Sequence, residues 1–197
     1  MMIDQQKGPI THVVDQFDAE DFGAPFKILL KDSVSVTTDA DGNMLSYTIP
    51  DPEGLMRVIV LTRILNRRKL SGKDIKFLRK AVCVMQKDLA VAIEILPETL
   101  SRYEAEKSPI GPGSEKLLRL FLFKTAIKHY KMKESDAKKN LEKALDKLFD
   151  VLKPVPVHDA DDELVMTFCR RRPEKDAGND NQASDEEGWE DPQAVNA

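Results

Sequence analysis

The apolar positions of the chain change period along its length. From residue 26 to 49 they alternate with polar ones, in Phe26-Lys27-Ile28, Val34-Ser35-Val36 and Leu45-Ser46-Tyr47-Thr48-Ile49. Period-two alternation predicts half-buried strands, and Asp39-Ala40-Asp41-Gly42-Asn43, with its Asp-Gly pair, predicts a hairpin turn. Two or three strands are expected here. Pro50-Asp51-Pro52 breaks the pattern. From Glu53 to Arg67 the period becomes helical, with Leu55, Val58, Ile59, Thr62 and Leu65 on one side. Ser71 and Asp74 have the spacing of a capping box, which starts the next helix at Gly72 with Ile75, Leu78 and Val82 facing inward. A short helix from Gln86 turns Leu89, Ala90 and Ile93 to the core, and Pro97 stands where helices favour proline, at their first position. Ser114 can cap a further helix. Its Leu117, Leu118, Leu120, Phe121, Leu122 and Phe123 make it apolar nearly all round, so it must be covered on several sides, by the core or by a second subunit. From Ser135 to Leu152 the leucines 141, 145, 148 and 152 form a heptad-like stripe suited to back-packing or dimerisation.

The two ends read differently. Residues 1–22 lack periodicity and are expected to be a flexible arm. Residues 158–197 are acidic and have the composition of disorder, apart from one short strand expected within Leu164–Arg172. The expected organisation is an arm (1–22), a small β region (23–52), a helical domain (53–123), a helical extension (124–157) and the tail (158–197). The expected fold is mainly α: a helical bundle with a small N-terminal β-hairpin or sheet and a disordered acidic tail.

The helices at 86 and 97 are separated only by Glu94-Ile95-Leu96, the spacing of a helix-turn-helix, whose second helix enters the DNA major groove. The pattern Gln86, Leu89-Ala90, Ile93, Leu100, Tyr103-Glu104 resembles the lambda-Cro/Xre type of helix-turn-helix repressor. More narrowly, PDPEGL near residue 50, LSGKDIKFLRKA, and PETLSRYE followed by Ile110-Gly-Pro look like the C-terminal half of zinc-finger/helix-turn-helix antitoxins. The resemblance covers roughly residues 47 to 122. Two positions depart from it. Glu94 replaces the glycine of the turn, at a cost of about 1 kcal/mol if its φ is positive. Leu96 replaces the polar cap of the second helix, a loss of about 1 kcal/mol.

Composition adjusts this picture in three ways. The net charge of −4 is unevenly spread: from His158 onward twelve acids face four bases, and the rest of the chain is basic. Gly54 to Lys73 contains no acid but holds Arg57, Arg63, Arg67, Arg68, Lys69 and Lys73, a candidate phosphate-contacting patch just before the motif. The cysteines, Cys83 and Cys169, are too few and too far apart for a disulfide framework or a zinc site, so no metal or cofactor is expected and the zinc module of the resembled antitoxins is missing. With no long apolar run and no leader pattern, the expected location is cytoplasmic. No phosphate loop, nucleophile elbow or histidine cluster is present, and no enzymatic activity is expected.

The resemblance implies DNA-contacting roles. Gln86 is placed as a phosphate clamp, with Lys87 and Arg79 adding charge. Glu98, Thr99, Ser101 and Arg102 face the groove, where Arg102 can take guanine O6 and N7 and Glu98 can accept from cytosine N4. Arg67, Arg68 and Lys69 supply phosphate contacts. The expected partners are double-stranded DNA and a second copy of the chain. An antitoxin role would add a toxin protein, and a third expectation keeps the fold but turns it to protein interaction.

Overall fold

The computed structural model describes residues 8–132, 163–171 and 188–190. The helix expected from Ser135 to Leu152 lies outside them. The chain divides into two compact units, one built on a sheet and one on helices.

The sheet unit is organised on β2 (Lys27–Thr38). Its aliphatic residues Ile28, Leu30, Val34 and Val36 are all buried. Along one edge runs β1 (Ile10–Asp18), antiparallel, with Ile10 opposite Thr38 and Asp18 opposite Leu29. The other edge is shared. β3 (Met44–Thr48) returns antiparallel against Ser35–Thr38, and β4 (Val165–Arg171) runs parallel to Lys27–Lys31. β5 (Gly188–Glu190) closes the far side of β4 antiparallel. β2 bulges at Asp32 and Ser33: Asp32 takes φ +48°, and these two residues of β2 stand opposite the single Asp15 of β1 between the Val14–Val34 and Gln16–Lys31 pairs. The β2–β3 turn is the expected one. The Asp39 carboxylate accepts from Asp41 N (3.0 Å), Asn43 N (2.8 Å) and Asn43 Nδ2 (3.0 Å), and Gly42 supplies the positive φ of +85°. These bonds, the Asn43 side chain first, hold the Asp39 carboxyl below its ordinary pKa.

The expectation of a mainly α chain is thereby corrected: the described residues include a mixed sheet of five strands as well as the helices. Two physical reasons explain the difference. β1 lies in the stretch expected to be a flexible arm. It is an edge strand with Ile10 and Val13 exposed, so its apolar residues carry no clean alternation. β4 and β5 are drawn from the acidic tail; β4 joins β2 across the whole length of the helical unit and β5 joins β4, pairings no local pattern can report. Met166, Phe168 and Trp189 of these strands are buried. The Trp189 indole N–H donates to the carbonyls of Pro50 and Asp51, both at 3.1 Å, so this aromatic in acidic sequence has its polar edge satisfied.

The helices are α1 (Pro52–Leu65), α2 (Gly72–Ala81), α3 (Gln86–Ala92), α4 (Pro97–Glu104) and α5 (Pro112–His129). α1 straddles the division between the units at Leu55. It opens with the Asp51 carboxylate accepting from Gly54 N at 2.9 Å, and ends at Leu65, two residues before the Arg67 expected from the sequence. α2 opens at Gly72 with the capping box formed: Ser71 Oγ accepts from Asp74 N (3.0 Å) and the Asp74 carboxylate from Ser71 N (2.8 Å). α5 starts at Pro112 rather than behind Ser114. The core holds Ile75, Leu78 and Val82 of α2 and its C-cap, Leu89, Ala90 and Ile93 of α3 and its C-cap, Leu100 of α4, and Leu118, Leu122, Phe123 and Ala126 of α5. Each such side chain contributes about 1.5–3 kcal/mol of burial for the larger aliphatics and aromatics. α5 is not covered all round: Leu117 and Leu120 are exposed.

Candidate nucleic-acid interface

α3 and α4 are two short helices joined by a tight turn, and α2 packs on α4. The turn has a defined geometry. After α3, Glu94 takes φ +57°, its N–H reaches Val91 O (3.2 Å) and Ile95 N–H reaches Ala90 O (3.0 Å). This is the paired 5→2 and 6→1 closure that usually employs glycine. Cys83 (φ +55°) ends α2 in the same way and Glu106 (φ +58°) ends α4, so none of the three helix exits uses glycine. Leu96 precedes α4 with no side-chain cap, and Pro97 takes the first helical position.

The three-helix unit is locked by Glu104. Its carboxylate, almost fully buried, accepts from Arg79 Nε (2.7 Å), Arg79 Nη2 (3.0 Å) and Gln86 Nε2 (3.0 Å). Arg79 Nη1 also holds Val84 O at 2.9 Å. One carboxylate thus ties α2, the α2–α3 connection, α3 and α4 together. Breaking a buried pair of this kind by removing one partner costs about 3–5 kcal/mol, because the other charge is left uncompensated. The structure therefore corrects the role given to Arg79, whose guanidinium is spent inside the fold. The amide donor of Gln86, placed by resemblance on a phosphate, is turned to Glu104.

α4 points the remaining predicted residues outward. Glu98, Ser101 and Arg102 are exposed, Thr99 is half-buried, and Leu100 between them is buried. No ion pair joins Arg102 to Glu98 or Glu106 among the described residues. Lys87 is exposed on α3. Leu96, 68% exposed, and Val91, 67% exposed, add apolar surface beside these charges.

Of the basic run before the motif, Arg67, Arg68 and Lys69 are exposed and lie in the connection between α1 and α2. Gly72 ties this connection to α4. A Cβ there would stand 2.1 Å from Tyr103 O, so only glycine lets the start of α2 approach the end of α4. Lys69 is three residues upstream, within about 10 Å of that contact by chain length. The end of the basic connection therefore lies close to the last turn of α4.

Arg63 is not part of that surface. It is 1% exposed and donates through Nε (3.0 Å) and Nη2 (2.7 Å) to Asp74, through Nη1 to Arg68 O (3.0 Å) and through Nη2 to Lys69 O (2.9 Å). Arg119 of α5, also 1% exposed, was not singled out in the sequence. It pairs with Glu115 (2.8 Å) and donates to Ile64 O, Asn66 O (2.8 Å) and Arg68 O (2.9 Å). Glu115 in turn accepts from Leu70 N at 3.0 Å, and Asn66 Oδ1 accepts from Arg68 N at 2.8 Å. An arginine four residues after a glutamate on an apolar helix was the available signal. Burial would raise the Asp74 pKa, but the Arg63 guanidinium and the Ser71 donors outweigh it and hold it below the ordinary value. Burial lowers that of Arg119, with Glu115 opposing and Arg63 adding to the depression.

Among the described residues no three His, Cys, Asp or Glu side chains cluster so as to hold a metal, and no helix is long and apolar enough to cross a membrane. Comparison with protein-family profiles, with curated proteins and with solved structures gave no match to the chain.

Proposed function

We propose that the chain is a cytoplasmic, sequence-specific DNA-binding regulator of the repressor type, which acts as a dimer and inserts α4 into the major groove. The observation that carries this reading is the division of labour around α4. Its inner side is fixed by Leu100 and Glu104, while Glu98, Ser101 and Arg102 are exposed and have no side-chain partner among the described residues, and Arg67, Arg68 and Lys69 are exposed in the connection that leads into α2. A rigid helix with unspent donors beside a basic connection suits base reading together with phosphate contact. Arg102 reads guanine, Glu98 and Thr99 flank it, Ser101 adds a short hydroxyl, and Lys87 adds charge at the edge.

The test is a titration with fragments of the protein's own promoter at two salt concentrations. Tight binding to one fragment that falls steeply with salt supports the reading. Arg102→Ala should then relax specificity at one base pair, by about 1–3 kcal/mol, and Lys69→Ala should weaken binding to all sequences alike and reduce the salt slope by about 0.9. Weak binding, equal for every fragment, would sink it.

A second reading, an antitoxin-type protein partner, is favoured by β3. All five of its residues are exposed, Met44, Leu45 and Tyr47 among them, and among the described residues it pairs with β2 alone. Such an edge can accept an added strand. Co-purification of a toxin that is lost when Leu45 is replaced by lysine would support this role.

A further inference from the structure

The two buried arginines have a geometry that core packing does not require. Between them they bind the carbonyls of Ile64, Asn66, Arg68 and Lys69, four oxygens within six consecutive residues. Arg68 O receives both guanidiniums, from Arg63 Nη1 at 3.0 Å and from Arg119 Nη2 at 2.9 Å. Two further bonds stop the connection from swinging: Leu70 N to the Glu115 carboxylate and Arg68 N to Asn66 Oδ1. Each buried guanidinium is neutralised by one carboxylate, Arg63 by Asp74 and Arg119 by Glu115. The segment that carries three consecutive cationic side chains is thus pinned by its backbone carbonyls, and its cations are left exposed.

We infer that Arg119 and Arg63 are positioning residues for DNA-backbone contact: they clamp the carbonyls of the α1–α2 connection so that Arg67, Arg68 and Lys69 are held ready for the phosphates. This rests on the DNA-binding reading above and extends it to two buried residues on helices that touch no groove. A preset connection loses little freedom on binding, whereas a loose one must be ordered at the moment of contact. The clamp acts on the sequence-independent part of the affinity, because its targets are phosphate contacts, and leaves base reading by α4 alone.

The experiment measures binding of the full chain to a short random-sequence duplex and to its best-bound promoter fragment across a salt series. Arg119→Lys keeps the charge but loses the fork that spans three carbonyls. It should weaken both duplexes by the same factor, on the order of tenfold, and lower the salt slope by about 1–2, against a ceiling of about 2.7 for three phosphate contacts. The preference for the promoter fragment should stay as it was. In a chain already carrying Arg67→Ala, Arg68→Ala and Lys69→Ala, Arg119→Lys should have no further effect on the slope. Leu122→Ala serves as a core variant that destabilises the same unit and should leave the slope unchanged. If Arg119→Lys fails to fold, the double variant Glu115→Gln with Arg119→Gln, which removes both buried charges together, is read instead with the same expectation. A folded variant with the wild-type slope overturns the clamp, as does a slope that falls further in the triple-alanine chain. If the wild-type chain itself binds neither duplex in a salt-dependent way, the DNA reading falls and the clamp with it, a result distinct from wild-type binding that Arg119→Lys leaves intact.

Discussion

Glu94, Cys83 and Glu106 each hold a left-handed backbone conformation at a helix exit where a side chain is a burden. The cost is steric, between Cβ and the following carbonyl, and amounts to roughly 1 kcal/mol at each position. Glu94→Gly should therefore stabilise the helical unit by about 0.5–1 kcal/mol, since the relief outweighs the added freedom of the unfolded chain. A higher urea midpoint at an unchanged slope would show it, and a lower midpoint would mean that the Glu94 side chain has a stabilising role of its own. The position was legible in the sequence, because the resemblance marks it as the glycine of the turn. The identical exits at Cys83 and Glu106 were not, since nothing in an isolated cysteine or glutamate announces a positive φ. Roles as well as shapes divide in this way. Arg102 and Lys69 stand exposed as expected, whereas Arg63 and Arg79 looked like surface charge and are buried in ion pairs. Charge counts along a sequence do not distinguish a cation facing water from one facing a buried carboxylate.

At the scale of elements, the helices from Gly72 to Glu104 follow their local signals closely: a capping box, inward faces at helical spacing and a proline at the first position. The capping box does more than stop fraying. Asp74 accepts from Ser71 N and from Arg63 at once, so the start of α2 and the inner side of α1 share one carboxylate. Its pKa is depressed in the folded state. The stability it contributes is fully present above the unfolded value of about 3.9 and is lost as the pH falls below that, through the folded value. The wild-type chain should lose stability to acid in that window, and Asp74→Asn should be less stable than wild type at neutral pH by about 3–5 kcal/mol, with the gap narrowing below about pH 4. Urea unfolding of both chains at a series of pH values checks this, and a gap independent of pH would remove Asp74 from the account. The strands were less legible. β2 and β3 have alternation and a turn signal, but β1 is half solvated and β5 is three residues long, too short for any period to register.

The whole molecule is where sequence reading lost most. Local pattern gave the helical unit, yet the sheet is assembled from stretches on either side of it. Trp189 shows why. In sequence it stands among acids and glycine, the composition of a solvated tail. In the fold its ring is buried and its N–H binds two carbonyls just ahead of α1. Trp189→Ala should destabilise the sheet unit by about 3 kcal/mol. It should also remove hydrogen-exchange protection from Cys169 to Arg171, the residues of β4 that β5 covers. Unchanged protection there would show that β5 stays docked without its tryptophan. The chain has one tryptophan, so its fluorescence arises from this site alone.

The split sheet has a consequence for how the protein is made. On the ribosome β1, β2 and β3 emerge first, then α1 to α5, and only after them β4 and β5. Until residue 165 is out, the edge of β2 from Lys27 to Lys31 has no neighbour, although Ile28 and Leu30 on it are the most buried kind of side chain in the finished unit. An open apolar edge is a template for pairing with other chains. The helical unit, whose contacts are all local in comparison, can complete itself during that interval. The nascent sheet unit thus waits for β4 and β5 while the helical unit is already out, and any slowing of translation between residues 130 and 165 prolongs the period in which two growing chains can join through β2.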